Sequence, residues 1–213
     1  MSSKSKKIGV FGGTFNPPHA GHVKLADAFA QKLEFDKILI IPANLPPHKD
    51  NKDLLSSEDR LEMCKRAFFK PLFEICDLEI KRGGISYTYE TLSRIGELYK
   101  DAHLYLIVGS DMFLTFHEWK YPELILELCT VCPCVRNDKV QIEHLKDYAN
   151  KNYADKLDKI KIVLRDFDPI DISSTQIRGM LYRGEQIDKL VPKSVIEYIN
   201  DRGLYSDPDN GRV

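Results

Sequence analysis

The chain has 213 residues, of which 43% are hydrophobic and 30% charged, and its 31 basic and 32 acidic side chains leave a formal net charge of −1. This balance excludes a global attraction to nucleic acid or to an acidic membrane surface, so any anionic ligand must be held by a local cluster. The length predicts one domain over residues 1–213, with residues 1–6 and 206–213 as flexible tails.

A membrane partner and a metal site built from cysteine side chains are not expected. No segment approaches the roughly 20 apolar residues that span a bilayer, and the basic start of the chain lacks the hydrophobic region of a signal peptide. We therefore expect a cytoplasmic protein. The five cysteines lie in apolar segments, which is typical of reduced buried thiols. Cys129, Cys132 and Cys134 lack a second ligand pair at zinc-finger spacing, so no protein metal site is predicted.

Strand-like and helix-like segments alternate along the chain. The predicted strands are Lys7–Phe11, Lys37–Pro42, Phe73–Ile80, His103–Val108, Thr130–Val135 and Ile160–Leu164. The predicted helices are His19–Leu33, Ser57–Phe69, Tyr87–Tyr99, Tyr121–Leu128, Gln141–Asn152 and Val191–Tyr205. This alternation predicts an α/β fold with a Rossmann-like, doubly wound parallel sheet of five to six strands and helices on both faces. Ligands of such sheets bind at the carboxyl ends of the strands, near the point where strand order reverses.

The first predicted strand opens a segment, Ile8–His22, that suits an anion. Gly12 and Gly13 allow a tight turn and a close approach of the backbone to a ligand. Two prolines then keep the chain extended until a helix begins near His19, which places His19 and His22 on one face of its positive end. Backbone N–H groups and two imidazoles would converge on one anion. The alternative is a plain glycine turn with ordinary polar histidines.

A second anion site is predicted at Ile172–Arg178, where the last strand leads into a helix. Ser173 and Gln176 have the spacing of a capping box. Arg178 follows Ser174 by four residues, so both side chains share one face near the free N–H groups of the helix. A guanidinium there suits a polyphosphate. The alternative is a well-capped helix with an arginine in solvent.

These segments resemble a known superfamily. Residues 12–22, Gly-Gly-Thr-Phe-Asn-Pro-Pro-His-Ala-Gly-His, resemble the Thr/His-x-Gly-His signature of the nucleotidylyltransferases, and residues 172–178 resemble their Ile-Ser-Ser-Thr-x-Ile-Arg motif. Residues 41–49, 86–92 and 108–119 resemble bacterial-type nicotinate-nucleotide adenylyltransferase, a match that covers about residues 7–205. The resemblance implies a transferase of NAD (pyridine nucleotide) biosynthesis. It would join ATP and nicotinate mononucleotide into nicotinate adenine dinucleotide and release pyrophosphate.

The resemblance also implies site residues. The expected catalytic residues are His19, His22 and Arg178. The expected ATP-binding residues are Gly12, Gly13, Thr14, Phe15, His19, His22, Asp111, Ile172, Ser174 and Arg178. The expected mononucleotide-binding residues are Asn44, His48, Lys49, Ser86, Tyr87, Thr88, Trp119 and Lys120. Trp119 would stack on the pyridine ring, and backbone N–H groups near Thr88 and Lys120 would bind the nicotinate carboxylate. Mg²⁺ would bridge phosphate oxygens with few protein ligands.

Several alternatives stay open. Lys49 is either a phosphate contact or a solvated loop lysine, and Asp111 is either a ribose or cation contact or a helix N-cap. The family commonly has Asp where this chain has Asn16, and Arg-Pro-Gly where it has residues 136–138. Rival functions are an enzyme that uses the amide mononucleotide, a pantetheine-phosphate adenylyltransferase, or a nucleotide-binding module without catalysis. The protein would act as a monomer or a homodimer.

Overall fold

A computed structural model describes residues 5–47, 53–136, 138–165 and 172–206. Within them, six parallel strands form one sheet in the order β3-β2-β1-β4-β5-β6. The strands are β1 (Lys6–Gly13), β2 (Lys37–Pro42), β3 (Phe73–Ile75), β4 (Ala102–Gly109), β5 (Thr130–Arg136) and β6 (Val163–Arg165). The helices are α1 (Ala20–Leu33), α2 (Ser57–Ala67), α3 (Leu78–Arg82), α4 (Thr88–Leu98), α5 (Ser110–Leu114), α6 (Pro122–Leu128), α7 (Lys139–Tyr153), α8 (Ser174–Tyr182) and α9 (Lys193–Asp201). The predicted doubly wound α/β sheet is confirmed.

Helices cover both faces of the sheet because side chains alternate along each strand. In β2, Ile38 and Ile40 pack into a core that includes α1, α2, α8 and α9. Leu39 and Ile41 of the same strand pack into a second core with α4, α5, α6 and α7. All four residues are buried, which explains why this strand reads as a continuous apolar run.

The order of strands reverses between β1 and β4. The chain proceeds outward from β1 to β3 and then crosses back to β4, which pairs with β1 on its other side. After β1 the chain enters α1, which packs on the first core, and after β4 it enters α5, which packs on the second. The two connections therefore leave toward opposite faces and open a crevice at the carboxyl ends of these strands.

Two predicted strands differ from those observed. The strand predicted over Phe73–Ile80 is wrong beyond Ile75, where the chain turns into α3. β3 lies at the sheet edge and pairs only with β2, and a short apolar run does not by itself distinguish strand from helix. The strand predicted over Ile160–Leu164 is displaced, because β6 is Val163–Arg165 and Ile160 makes only an isolated bridge.

The glycine turn predicted after the first strand is also wrong. Gly12 and Gly13 continue β1 and pair with β2, and the left-handed residue of the following loop is Phe15, with φ of 50°. At its other end β1 already includes Lys6, so the predicted N-terminal tail is shorter than expected. Residues 1–4 and 207–213 lie outside the described residues. The last helix is shorter than predicted, ending at Asp201.

Candidate active site

A cavity of about 380 Å³ lies at the carboxyl ends of β1 and β4, where strand order reverses. Six residues of the first predicted anion segment line it: Val10, Phe11, Gly12, Gly13, Thr14 and His22. Five residues predicted to bind the mononucleotide line it as well: Ser86, Tyr87, Thr88, Trp119 and Lys120. The fold thus brings segments that are distant in the chain to one cavity, at the place where such sheets bind ligands.

Two imidazoles lie side by side at the N-terminus of α1. His19 is the N-cap residue, and its backbone N–H donates to Nδ1 of His22 at 3.2 Å, with the ring centroids 3.7 Å apart. Because Nδ1 of His22 accepts this bond, a neutral His22 ring carries its proton on Nε2. Burial lowers the pKa of His19 from 6.5 to about 4, so its imidazole is neutral near pH 7.

The loop that follows β1 is held by side chains from distant parts of the chain. Asn16 is 4% exposed, and its Nδ2 donates to the carbonyl of Asp53 at 2.7 Å. Its Oδ1 accepts the hydroxyl of Tyr205 at 2.7 Å. The Asn16–Pro17 peptide bond is cis. An aspartate at this position would have no N–H to donate to Asp53, so the asparagine fits the network that surrounds it.

The first turn of α8 contacts the same loop. The predicted capping box at Ser173 is present. Ser174 Oγ donates to the carbonyl of Pro17 at 2.9 Å, and the guanidinium of Arg178 donates to the carbonyl of Asn16 at 3.0 Å. The alternative of a solvated arginine is wrong, since the side chain of Arg178 is only 15% exposed. Both predicted anion segments therefore form one site. Ile172, just before this helix, packs against the first core.

Buried polar atoms without a partner mark this site. Among the described residues there are three on side chains: His19 Nδ1, Arg178 Nε and the hydroxyl of Tyr153. Such atoms are rare, because leaving a buried polar group unpaired costs about 1–3 kcal/mol. His19 ends the loop after β1, and Arg178 donates to the carbonyl of Asn16 in the same loop, so their unpaired nitrogens indicate a ligand there.

The sequence reasoning missed Arg60, a guanidinium that is 1% exposed in α2. It donates to the carbonyls of Thr14 at 3.0 Å, Asn44 at 2.9 Å and Leu55 at 3.1 Å. Arg60 thereby ties the loop after β1 to the loop after β2. A signal was present, because this arginine occupies the apolar face of an amphipathic helix.

Glu79 is a second residue that sequence reasoning missed. It lines the cavity, is buried, and accepts the hydroxyl of Thr91 at 2.6 Å. Burial raises the pKa of its carboxyl, and the hydrogen bond from Thr91 opposes that rise. Sequence reasoning missed its place in the cavity wall because the segment around it was predicted as a strand.

The mononucleotide segments meet through their loops. The backbone N–H of Asn44 donates to Ser86 Oγ at 2.9 Å, and Asn44 Nδ2 donates to the carbonyl of Gly84 at 2.9 Å. Thr88 begins α4, and the N-cap residue Tyr87 makes no side-chain capping bond. The first N–H groups of α4 are therefore not capped by that side chain.

Aromatic side chains form the other part of the cavity wall. Trp119 is half-buried and packs on Phe116, with ring centroids 5.3 Å apart. Lys120 is exposed, and its Nζ lies 4.1 Å from the ring centroid of Tyr87. This part of the cavity offers ring faces and a cation, whereas the loop after β1 offers polar nitrogens.

The cytidylyltransferase-like family model matches residues 10–180, well over half of the chain. The chain belongs to this family. A relative from Clostridium acetobutylicum with the name "Probable nicotinate-nucleotide adenylyltransferase" is 39% identical over 94% of this chain and 99% of its own. A relative of the same name from Desulfitobacterium hafniense is 36% identical over 96% of this chain and 98% of its own. Within the cytidylyltransferase-like proteins, the chain therefore belongs with the nicotinate-nucleotide adenylyltransferases, as the sequence predicts.

Solved structures agree on the fold. Nicotinic acid mononucleotide adenylyltransferase of Plasmodium falciparum, complexed with NaAD, superposes with a TM-score of 0.74, covering 94% of this chain and 97% of its own. The same enzyme complexed with APC superposes with a TM-score of 0.72. At 20% and 21% identity, these two structures support the cytidylyltransferase-like architecture of this chain rather than its chemistry.

Asp111, one of the remaining predicted residues of this cytidylyltransferase-like chain, is not among those that line the cavity. Asp111 is exposed in the first turn of α5, whose N-cap is Gly109, so the N-cap alternative for Asp111 is wrong. Asp138 is the N-cap of α7 and accepts the N–H of Val140 at 2.9 Å, which gives the departure from Arg-Pro-Gly a local role. His48 and Lys49 lie outside the described residues.

Other features bear on partners. None of the five cysteines forms a disulfide; four are buried, as predicted, and Cys76 is half-buried. The described residues contain no group of three or more His, Cys, Asp or Glu side chains placed to hold a metal ion. None of the described helices combines the length and apolar character needed to cross a membrane.

Proposed function

We propose that this protein transfers the adenylyl group of ATP to nicotinate mononucleotide, giving nicotinate adenine dinucleotide and pyrophosphate in NAD biosynthesis. One observation carries the proposal: a single cavity joins the polar nitrogens at His22 to the aromatic wall at Trp119. This is the activity predicted from the sequence, and the names of the relatives support it. The proposal covers one nucleotidylyltransferase domain over residues 1–213, a cytoplasmic enzyme that acts as a monomer or homodimer.

The proposed reaction is an in-line displacement at phosphorus. An oxygen of the mononucleotide 5′-phosphate forms a bond to the α-phosphorus of ATP while the bond to pyrophosphate breaks. A phosphate is already ionised at neutral pH, so no general base is needed. The protein then has two tasks, alignment of the reactants and stabilisation of the charge on the leaving pyrophosphate. The neutral state of His19 suits this scheme, because that residue acts as a hydrogen-bonding group.

His19, His22 and Arg178 are proposed to contact the phosphates, with Ser174 beside them at the start of α8. The unpaired nitrogens of His19 and Arg178 support this assignment. Gly12 supports it in another way. It lines the cavity, and no protein atom lies within 4 Å of the position a Cβ would take, so a side chain there would fill ligand space. The backbone from Gly13 to Phe15 would complete the cradle.

Adenylyl transfer from ATP generally uses a divalent cation, and we propose Mg²⁺. The groups that converge on the phosphates are nitrogens that suit phosphate oxygens and not a hard cation. The ion would therefore be held by phosphate oxygens and water, with Asp111 as a carboxylate at the same edge of the sheet. When bound, it would neutralise charge that develops on the phosphate oxygens.

The mononucleotide would occupy the aromatic side of the cavity. Trp119 is proposed to stack on the pyridine ring, and the backbone N–H groups of Thr88 and Lys120 to bind its carboxylate. Ser86 supports this loop by bonding to the backbone of Asn44. Tyr87 contributes a ring to the cavity wall. His48 and Lys49 are proposed as further contacts from the loop after β2.

The proposal is tested by pyrophosphate release with ATP and Mg²⁺, comparing nicotinate mononucleotide with its amide. We expect turnover with both mononucleotides when ATP is present and no turnover when ATP is omitted. The kcat/KM should be higher for the acid than for the amide. Turnover on neither mononucleotide contradicts the proposal and favours a nucleotide-binding module. Turnover only with phosphopantetheine would identify a different adenylyltransferase.

A further inference from the structure

Lys120 carries a positive charge that no described carboxylate neutralises. Its Nζ lies 4.1 Å from the ring centroid of Tyr87 and 5.7 Å from those of Tyr89 and Tyr121. Within the described residues, the ammonium contacts these ring faces and makes no ion pair or hydrogen bond. Three aromatic rings thus hold the cation in one place without cancelling its charge.

The carboxylates nearest these rings in the chain have other partners. Glu90 pairs with Arg82 at 3.4 Å and accepts the hydroxyl of Tyr89 at 2.8 Å. Glu118, two residues before Lys120, lies 3.8 Å from His117 Nε2. Glu123, two residues after Tyr121, pairs with Lys156 at 3.4 Å. Glu79 of the cavity wall is buried and accepts the hydroxyl of Thr91. The positive charge of Lys120 is therefore available to an anionic ligand.

The position of Lys120 indicates which part of a ligand it would meet. It lines the cavity together with Tyr87, Thr88 and Trp119, whereas Arg178 does not line it. A pyridine ring stacked on Trp119 would bring its substituent toward this wall. In the acid mononucleotide that substituent is a carboxylate, and in the amide it is uncharged, while the phosphate and ribose are identical.

We propose that the side-chain ammonium of Lys120 selects the acid form of the pyridine mononucleotide over the amide. This inference rests on the proposed function and adds the side chain to the backbone N–H assigned above. Its physical basis is a charge difference, because a cation attracts the carboxylate and gains nothing equivalent from the amide. For an exposed pair the expected preference is about fivefold.

The test replaces Lys120 by methionine, which keeps an apolar stem on the tyrosine rings, and by arginine, which keeps the charge. We expect Lys120→Met to lower kcat/KM for nicotinate mononucleotide about fivefold and to leave the value for the amide unchanged. Lys120→Arg should retain the preference. Added salt should reduce the preference of the wild type and not that of Lys120→Met, because salt screens exposed charges.

A binding measurement keeps this test independent of turnover. Trp119 is the single tryptophan of the chain, so quenching of its fluorescence reports mononucleotide binding at the cavity. Lys120→Met should weaken the Kd of the acid about fivefold and spare that of the amide. The matched control is Lys193→Met, at a lysine whose side chain is 91% exposed on α9; it should change neither.

Two results would overturn the inference. Equal losses with acid and amide would assign Lys120 to the shared 5′-phosphate. Unchanged preference in Lys120→Met would make it a solvated lysine that rests on tyrosines. Failure of the proposed function is distinguishable from failure of this inference. In that case the wild-type protein would show no pyrophosphate release, and the fluorescence titration would still decide whether Lys120 discriminates the two mononucleotides.

Discussion

The two halves of the cavity are built in contrasting ways. On the side proposed to bind phosphate, the loop after β1 is buried and is bonded from three parts of the chain, by Arg60 of α2, by Ser174 and Arg178 of α8, and by Tyr205. On the pyridine side, the wall consists of rings and an exposed lysine, and Tyr121 is 57% exposed. In the proposed reaction, the hydrogen bonds to this loop fix the donors that meet the reacting phosphate. The ring faces recognise the flat pyridine ring with few hydrogen bonds. We infer that the first half determines the rate and the second the choice of substrate.

The largest expected effect is on the phosphate side. His22→Ala should reduce kcat by about 100- to 1000-fold, because it removes a group aimed at charge that develops during transfer. Steady-state pyrophosphate release measures this, and circular dichroism checks that the fold is intact. The matched control is His144→Ala, at an exposed histidine of α7, which should keep full activity. Undiminished activity in His22→Ala would remove the phosphate role assigned to the start of α1.

The burial of His19 predicts a pH dependence of stability. Burial lowers its pKa from 6.5 to about 4, so between these values the unfolded chain binds a proton that the folded chain does not. The free energy of unfolding should therefore fall as pH drops through this window, by up to about 3 kcal/mol, and this loss should be absent above it.

Urea unfolding at several pH values measures this effect against His19→Asn, which keeps a good N-cap residue. Subtracting the two series removes the titration of the carboxylates. Parallel series for wild type and variant would show that His19 is not held neutral.

On the pyridine side, Trp119→Ala should raise the KM for the mononucleotide about 20-fold and leave the KM for ATP unchanged, because a stacking face is lost. Trp119→Phe should recover part of the loss. Phe69→Ala, at a ring that is 78% exposed, is the control for removing an aromatic side chain. An equal rise in both KM values would mean that Trp119 supports the whole cavity and does not distinguish its halves.

The smallest expected effect concerns Tyr205. Tyr205→Phe removes the hydroxyl that donates to Asn16 at 2.7 Å, and it should lower the free energy of unfolding by about 1 kcal/mol. It should also raise the KM for ATP more than that for the mononucleotide. Tyr198→Phe is the matched control, since the hydroxyl of Tyr198 on α9 donates to Asp59 of α2 at 2.9 Å. Equal shifts of KM in both variants would remove Tyr205 from the phosphate side.

Local patterns predicted much of this fold and part of the site. The capping box at Ser173 and the helix beginning beside His19 were predicted correctly, because caps and periodicity depend on neighbouring residues. The strand predicted over Phe73–Ile80 was correct to Ile75, which pairs with β2, and wrong beyond it, because a short apolar run suits either a strand or a helix. Glu79 was missed for that reason.

Asn16 shows where prediction from sequence ends. From the sequence it was a departure from the family and its effect was unsettled. In the structure its side chain bonds Asp53 and Tyr205, the latter 189 residues away. No local pattern records such a contact, since it exists only after both segments pack.

The sequence by itself determined the alternation of strands and helices, the presence of two segments suited to an anion, and the family. The first two properties follow from periodicity and capping, which act over a few residues, and the family follows from the resemblance of short motifs. Only the tertiary structure decided that the two segments contact each other at Asn16 and Pro17, that Arg60 joins the loop after β1 to the loop after β2, and that Lys120 faces tyrosines and no carboxylate of the described residues. These depend on which side chains burial brings together, and burial is a property of the packed sheet and helices.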